Sequence, residues 1–136
     1  SLVRLDVNRD GRCDIAISHL GEPTSLLINH TANAGKSITL QLKATSSPRD
    51  ATGARVTAMV GRQQVVAYVL DGDGYMASNE KRLHIGVSAT ESADEVTVHW
   101  PSGRVEALGT LAAGQEYLIV EGAGHAFEMD RLVFHD

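Results

Sequence analysis

The chain has 136 residues, enough for one domain with a real core or one domain with a fragment of another, and too few for two complete domains. Thirteen Gly, with only two Phe and one Trp, point to short strands and frequent turns and away from a helical bundle. With 12 basic against 17 acidic residues and no basic cluster, the chain lacks the electrostatic footprint of a partner for nucleic acid or an anionic membrane, and no apolar run is long enough to span a bilayer.

Cys13 stands alone, so no internal disulfide forms, and its neighbours predict a small core residue more than a reactive thiol. The opening Ser1-Leu2-Val3-Arg4 is not a signal peptide and begins in mid-strand, so the chain is expected to be a piece of a longer protein.

Residues 2–7 read as a short strand leading into Asp6-Val7-Asn8-Arg9-Asp10-Gly11-Arg12-Cys13-Asp14, after which Ile15-Ala16-Ile17 resumes an extended apolar run. Counted from Asp6, side-chain oxygens stand at loop positions one, three, five and nine. Gly11 at position six permits a sharp turn, and the carbonyl of Arg12 falls at seven. Ca²⁺ gathers oxygen ligands in this way, so Asp6, Asn8, Asp10 and Asp14, with the Arg12 carbonyl, form the candidate metal site. An EF-hand would carry a Glu at position twelve between helices; Ile17 stands there, and strands flank the loop. The competing reading is an Asx-rich turn in which Asn8 and Asp10 bond only their own backbone. Three carboxylates this close repel one another, so a filled loop is expected to be stiffer than an empty one.

Residues 18–24 read as a turn and Ser25-Leu26-Leu27-Ile28-Asn29-His30 as a third short strand, which makes residues 1–32 most of one propeller blade. Residues 5–29 resemble the FG-GAP (integrin-α-like) repeat, with its calcium loop and following strand pair. A lone blade cannot close a propeller, so the resemblance implies further blades upstream. The small, polar residues 31–36 mark the boundary.

Beyond it, Ile38, Leu40 and Leu42 alternate with Thr39, Gln41 and Lys43 as a sandwich strand. Residues 44–52 are a loop. Val56, Ala58 and Val60 share a face of the next strand, and Gly61-Arg62 reverses the chain into residues 63–70. There the apolar residues run on without alternation, predicting burial from both sides or cover by a neighbouring segment. Asp71-Gly72-Asp73-Gly74-Tyr75 reads as a Gly-rich loop positioning Tyr75, its two carboxylates being too few for a second cation site.

Leu83, Ile85 and Val87 point inward from another strand, and residues 89–94 turn the chain toward Val96, Val98 and Trp100, which alternate with Thr97 and His99. His84 and His99 both face outward and would meet if their strands were neighbours. Pro101-Ser102-Gly103 supplies a tight hairpin turn from which Arg104 starts a return strand. Residues 109–114 read as a turn and Gln115-Glu116-Tyr117-Leu118-Ile119-Val120-Glu121 as the closing strand. Both Phe residues lie in the tail, residues 123–136, where Ala126-Phe127-Glu128-Met129 and Leu132-Val133-Phe134 are expected to pack on the domain, in a position to cover an open edge.

Gly53-Ala54-Arg55-Val56, Gly72-Asp73-Gly74-Tyr75, Leu83-His84-Ile85-Gly86, Val98-His99-Trp100-Pro101-Ser102-Gly103 and Tyr117-Leu118-Ile119-Val120-Glu121 occur in the order and spacing of the ASPIC/UnbV domain, which residues 36–122 therefore resemble. The resemblance implies an all-β domain attached to a calcium-dressed propeller in a secreted or cell-surface protein, as in cartilage acidic protein and its relatives, without catalytic residues to transfer. The chain departs from it at Ile85-Gly86-Val87-Ser88, where the family has Phe-Gly-Leu-Gly, and at Asp73, where it has Ser.

The expected fold is thus all-β, an antiparallel β-sandwich behind a partial propeller blade. The leading functional expectation is a non-catalytic extracellular module that binds calcium and recognises a protein or glycan through loops such as residues 48–52 and 71–79. The alternatives are an accessory or catalytic domain acting on polysaccharide, with Asp71 and Asp73 or Glu80 and Asp94 as carboxylate pairs, and a structural cap for the upstream propeller blades. Unpaired groups on the partial blade make a dimer through it conceivable.

Overall fold

A computed structural model describes residues 1–88 and 90–130, and among these the regular structure is all strand. Three short strands come first, β1 (Leu2–Leu5), β2 (Asp14–Ile17) and β3 (Ser25–Leu27), forming one antiparallel sheet in the order β1-β2-β3. The remaining eight are β4 (Lys36–Lys43), β5 (Arg55–Val60), β6 (Gln63–Tyr68), β7 (Arg82–Ser88), β8 (Ser92–His99), β9 (Val105–Ala112), β10 (Glu116–Val120) and β11 (Ala126–Met129). They make two four-stranded sheets, β11-β10-β4-β7 and β6-β5-β8-β9.

The sheets close on one core because each strand offers alternate residues to it. Ile38, Leu40 and Leu42 of β4, Ile85 and Val87 of β7 and Ile119 of β10 are buried from one side, and Val56 and Ala58 of β5 with Val96 and Val98 of β8 from the other. Trp100 is buried in the same cluster. The β-sandwich is therefore as the alternation predicts. One pairing departs from the antiparallel rule: β10 lies parallel to β4, with Tyr117 opposite Leu40 and Ile119 opposite Leu42. The two strands are remote in sequence, so no tight turn dictates their direction.

Four details correct the reading of the sequence. The apolar run after Gly61 is not buried from both sides: Val69 is buried and Val65 packs on the core, whereas Val66, Tyr68 and Leu70 are 43%, 52% and 54% exposed. Strand β6 is one of the two outer strands of its sheet, and Val66 and Tyr68 lie open on its outer face. Gly109, expected in a turn, sits inside β9 with φ 77°, opposite Val96 where the β8–β9 register slips. A bulge there uses the glycine to bend the strand without ending it.

The third correction concerns Cys13, which is exposed as a free thiol and not a core residue. Asp14 and not Cys13 turns inward at the start of β2. The fourth is that Ser92 and Ala93 belong to β8 and not to the preceding turn. In the tail, β11 pairs antiparallel with β10, Phe127 opposite Leu118, and extends the sheet past its edge. The expected packing of Leu132, Val133 and Phe134 lies outside the described residues.

The hairpin after Trp100 forms as its turn chemistry dictates. The Gly103 amide donates to the Trp100 carbonyl at 3.0 Å, Gly103 takes φ 90°, and the Trp100 amide donates to the Arg104 carbonyl at 2.8 Å.

The N-terminal sheet is fastened to the sandwich through the outer edge of β1. The Glu80 amide donates to the Arg4 carbonyl at 3.1 Å, the Arg4 amide to Asn79 Oδ1 at 2.7 Å, and the Asp6 amide to Glu80 Oε2 at 3.0 Å. On the other side of the loop, Ser37 Oγ donates to the Gly11 carbonyl at 2.8 Å. The acidic loop is thus held between β1 and β2 at the foot of β4.

Candidate functional site

The loop closes because short oxygen-bearing side chains satisfy its backbone amides. The Asp10 amide points at two acceptors together, Asp6 Oδ1 at 3.0 Å and Asn8 Oδ1 at 3.3 Å, so these oxygens converge on one small region. Asp6 Oδ2 accepts from the Gly11 amide at 2.9 Å, and Gly11 takes φ 86°, a conformation that favours glycine. Asn8 Nδ2 donates to Asp10 Oδ2 at 2.9 Å, and the Arg12 amide to Asp10 Oδ1 at 2.8 Å. Asp6, Asn8 and Asp10 are therefore brought together.

Asp14 and Arg12 have other tasks. Asp14 is fully buried, and its two oxygens accept the Val7 amide at 2.9 Å and the Asn29 amide at 2.8 Å, tying both ends of the loop to the segment just past β3. The Arg12 guanidinium reaches Asp10 Oδ2 at 2.5 Å through Nη2 and the Asn29 carbonyl at 2.7 Å through Nε. Among the described residues no three His, Cys, Asp or Glu side chains are gathered as a ligand set.

The electrostatics follow from this arrangement. Burial pushes the Asp6 carboxyl above its usual range, against the opposing pull of the Gly11 and Asp10 amides and the charge of His84. Burial also opposes ionisation of Asp10, but the Arg12 amide, the Asn8 side chain and the Arg12 guanidinium outweigh it, and its carboxyl lies below the usual range. The donors are oxygens that suit a hard cation, and Asp6 is a carboxylate short of compensating charge. For a cation to use Asp10 fully, the Arg12 guanidinium must leave it. The sequence signal for this competition is the Arg at loop position seven, whose carbonyl the ligand count uses and whose guanidinium it leaves out.

The other candidate groups separate. His84 lies on β7 and His99 on β8, in different sheets, so the two do not form a pair. Lys81 bridges Asp50 at 3.0 Å and Asp71 at 2.7 Å, and its hydrogen bond holds the Asp71 carboxyl below the usual range. Asp73 is lowered by the Asn79 amide and side chain. Neither carboxyl has the raised pKa of a general acid. Glu80 pairs with Arg82 at 2.6 Å, whereas Asp94 accepts from Ser92 and Thr110.

One pairing had no signal in the sequence. Asn79 and Glu80 serve the edge of β1, a pairing between distant segments that no local pattern announces. The loop after β6 exposes Tyr75 and Met76, each 85% accessible, with Met76 held at φ 50°.

The family model described as ASPIC and UnbV matches residues 44–126. No curated protein matches the chain.

Proposed function

Because the chain belongs to the ASPIC and UnbV family, we propose that it is a non-catalytic recognition module of a larger secreted or cell-surface protein, stiffened by Ca²⁺ in its N-terminal loop and preceded by an FG-GAP-like propeller. The observation that carries the calcium reading is the convergence of Asp6 Oδ1 and Asn8 Oδ1 on the Asp10 amide, in a loop whose Gly11 makes the required turn. When bound, calcium supplies charge compensation and rigidity. The chain's own part is to hold these oxygens, with Asp14 securing the loop to the segment just past β3.

Recognition is assigned to the loops and outer faces of the sandwich, where Tyr75 and Met76 stand in solvent on a rigid frame, and the ligand class is protein or glycan. The capping of β1 by Asn79 and Glu80 favours a second, compatible role, in which the sandwich ends a propeller by covering its last edge.

Calorimetry with Ca²⁺ tests the loop through two variants that act in opposite directions. Asp10→Ala is expected to weaken binding by about tenfold or more through loss of a ligand carboxylate. Arg12→Gln is expected to strengthen it several-fold by removing a competing cation. No heat at millimolar Ca²⁺ in the wild type would refute the calcium reading, and equal affinities for the two variants would refute the ligand assignment.

A further inference from the structure

Strand β6 is an outer strand of its sheet, and its backbone shows where its free groups lie. Gly61-Arg62 closes a two-residue hairpin with Val60 opposite Gln63, Val65 is opposite Ala58, Ala67 opposite Val56, and the Val69 amide donates to the Ala54 carbonyl. Bonded pairs alternate along an antiparallel ladder, so Gln63, Val65, Ala67 and Val69 turn their backbone groups to β5. Those of Gln64, Val66 and Tyr68 face away from it.

The other outer strands carry protection. Residues 79–80 cap β1, β3 is only three residues long, β7 carries Arg82 and His84, β9 is bent at Gly109, and β11 carries Glu128. Residues 63–70, Gln-Gln-Val-Val-Ala-Tyr-Val-Leu, contain no charge and no proline, and β6 pairs with β5 without a bulge. Such a strand is a template for another.

Beside it lies a cleft of about 360 Å³, lined by Val66 and Tyr68 on one wall and by Arg4, Leu5 and Leu83 on others. A shallower depression shares Arg4 and continues past Leu2, Leu70 and Tyr75. Arg4 makes no ion pair among the described residues, although its charge helps to lower Asp73. Glu80 in the cleft is already matched by Arg82.

We propose that β6 is the acceptor strand for an extended polypeptide segment, which adds to the free backbone edge of Gln64, Val66 and Tyr68, lays alternate apolar side chains along Tyr68 and Leu70, and meets Arg4 with an acidic group. The proposal rests on the reading of the chain as a recognition module and specifies the ligand as protein, bound through main-chain pairing. The walls formed by β1 and β7 stand close beside this edge, which favours one inserted strand over the bulk of a whole second copy.

The test is selection of a phage-displayed random decapeptide library on the full chain, followed by titration of the enriched synthetic peptides into wild type, Val66→Pro and Val66→Lys. Val66→Pro removes one outward amide without touching a bond to β5, a change that outer strands tolerate, and circular dichroism confirms that each variant is folded. The expected result is enrichment of alternating apolar peptides with an acidic residue, slowed amide exchange at Gln64, Val66 and Tyr68, and at least tenfold weaker binding by both variants.

Peptides that bind all three proteins equally would overturn the β6 assignment while leaving the recognition reading in place. So would hits on a glycan array with no enriched peptide. Concentration-dependent dimerisation abolished by Val66→Lys would replace the inserted peptide with a second copy, and failure of both peptide and glycan screens would remove the recognition reading as well.

Discussion

Trp100→Ala is expected to destabilise the chain by about 3–5 kcal/mol, the usual range for truncating a buried aromatic side chain, and to lower the melting temperature by on the order of 10 °C for a chain of this size. Trp100 is only 3% exposed, closes β8 within the shared core, and fixes the angle at which Pro101 sends the chain into the β8–β9 hairpin. Its loss leaves a hole where the two sheets meet, and close-packed neighbours relax only partly into such a hole. Its indole Nε1, although buried, has no hydrogen-bond partner among the described residues. Trp100→Phe therefore gives up volume but no hydrogen bond, and is expected to cost less than half as much as the alanine variant. Because the chain has a single Trp, urea denaturation followed by circular dichroism, not by intrinsic fluorescence, makes the comparison. Equal losses in the two variants would show that the indole N–H is engaged and contributes to stability.

The parts of this fold that local chemistry specifies were legible in the sequence. The alternation of Ile38, Leu40 and Leu42, and of Val96, Val98 and Trp100, names the core faces because a strand has a period of two. Pro101-Ser102-Gly103 names a hairpin because its residues suit the dihedrals of the turn. Where partners are distant in sequence, the same reasoning had no purchase. Gly109 looks like a turn residue until Val96 is seen opposite it, and the parallel pairing of β4 with β10 has no local signature. The run from Val65 to Leu70 looked buried because apolar residues are assigned to the interior by default, yet three of its side chains stand in solvent.

The acidic loop divides in the same way. Spacing alone identified the residues that fold together, Asp6, Asn8 and Asp10, since each bonds an amide within five positions of itself. It did not reveal that Asp14 is committed to the Asn29 amide, or that the Arg12 guanidinium sits on Asp10, because both depend on where β3 comes to lie. Any calcium site here must accommodate a resident cation, which lowers the affinity below that of the same oxygens in a loop without arginine.

Glu121 is where the sandwich is knotted at one end, and its removal is the second large effect to expect. Buried just past β10, it accepts the Thr45 amide at 2.8 Å and the Ser46 amide at 2.9 Å, and the Ser102 hydroxyl donates to its Oε1. Its own amide donates to the Lys43 carbonyl at 2.9 Å. One carboxylate thus joins the end of β4, the end of β10 and the β8–β9 turn. Glu121→Ala strands three donors that relied on it, and is expected to cost about 2–4 kcal/mol. Glu121→Gln keeps an acceptor for the amides and offers a donor to Ser102 Oγ, so it is expected to cost about 1 kcal/mol. The Ser102 hydrogen bond is the largest of the influences that hold the Glu121 carboxyl below its ordinary range, with the Ser46 and Thr45 amides adding to it against the opposing effect of burial. A carboxyl whose pKa is lower in the folded chain than in the unfolded one contributes stability that is complete above the unfolded value and disappears as pH falls through the folded value. The wild type is therefore expected to lose more stability between neutral pH and pH of about 3 than Glu121→Gln does. Parallel pH dependences for the two proteins in urea denaturation would show that this knot holds through shape alone, without its charge.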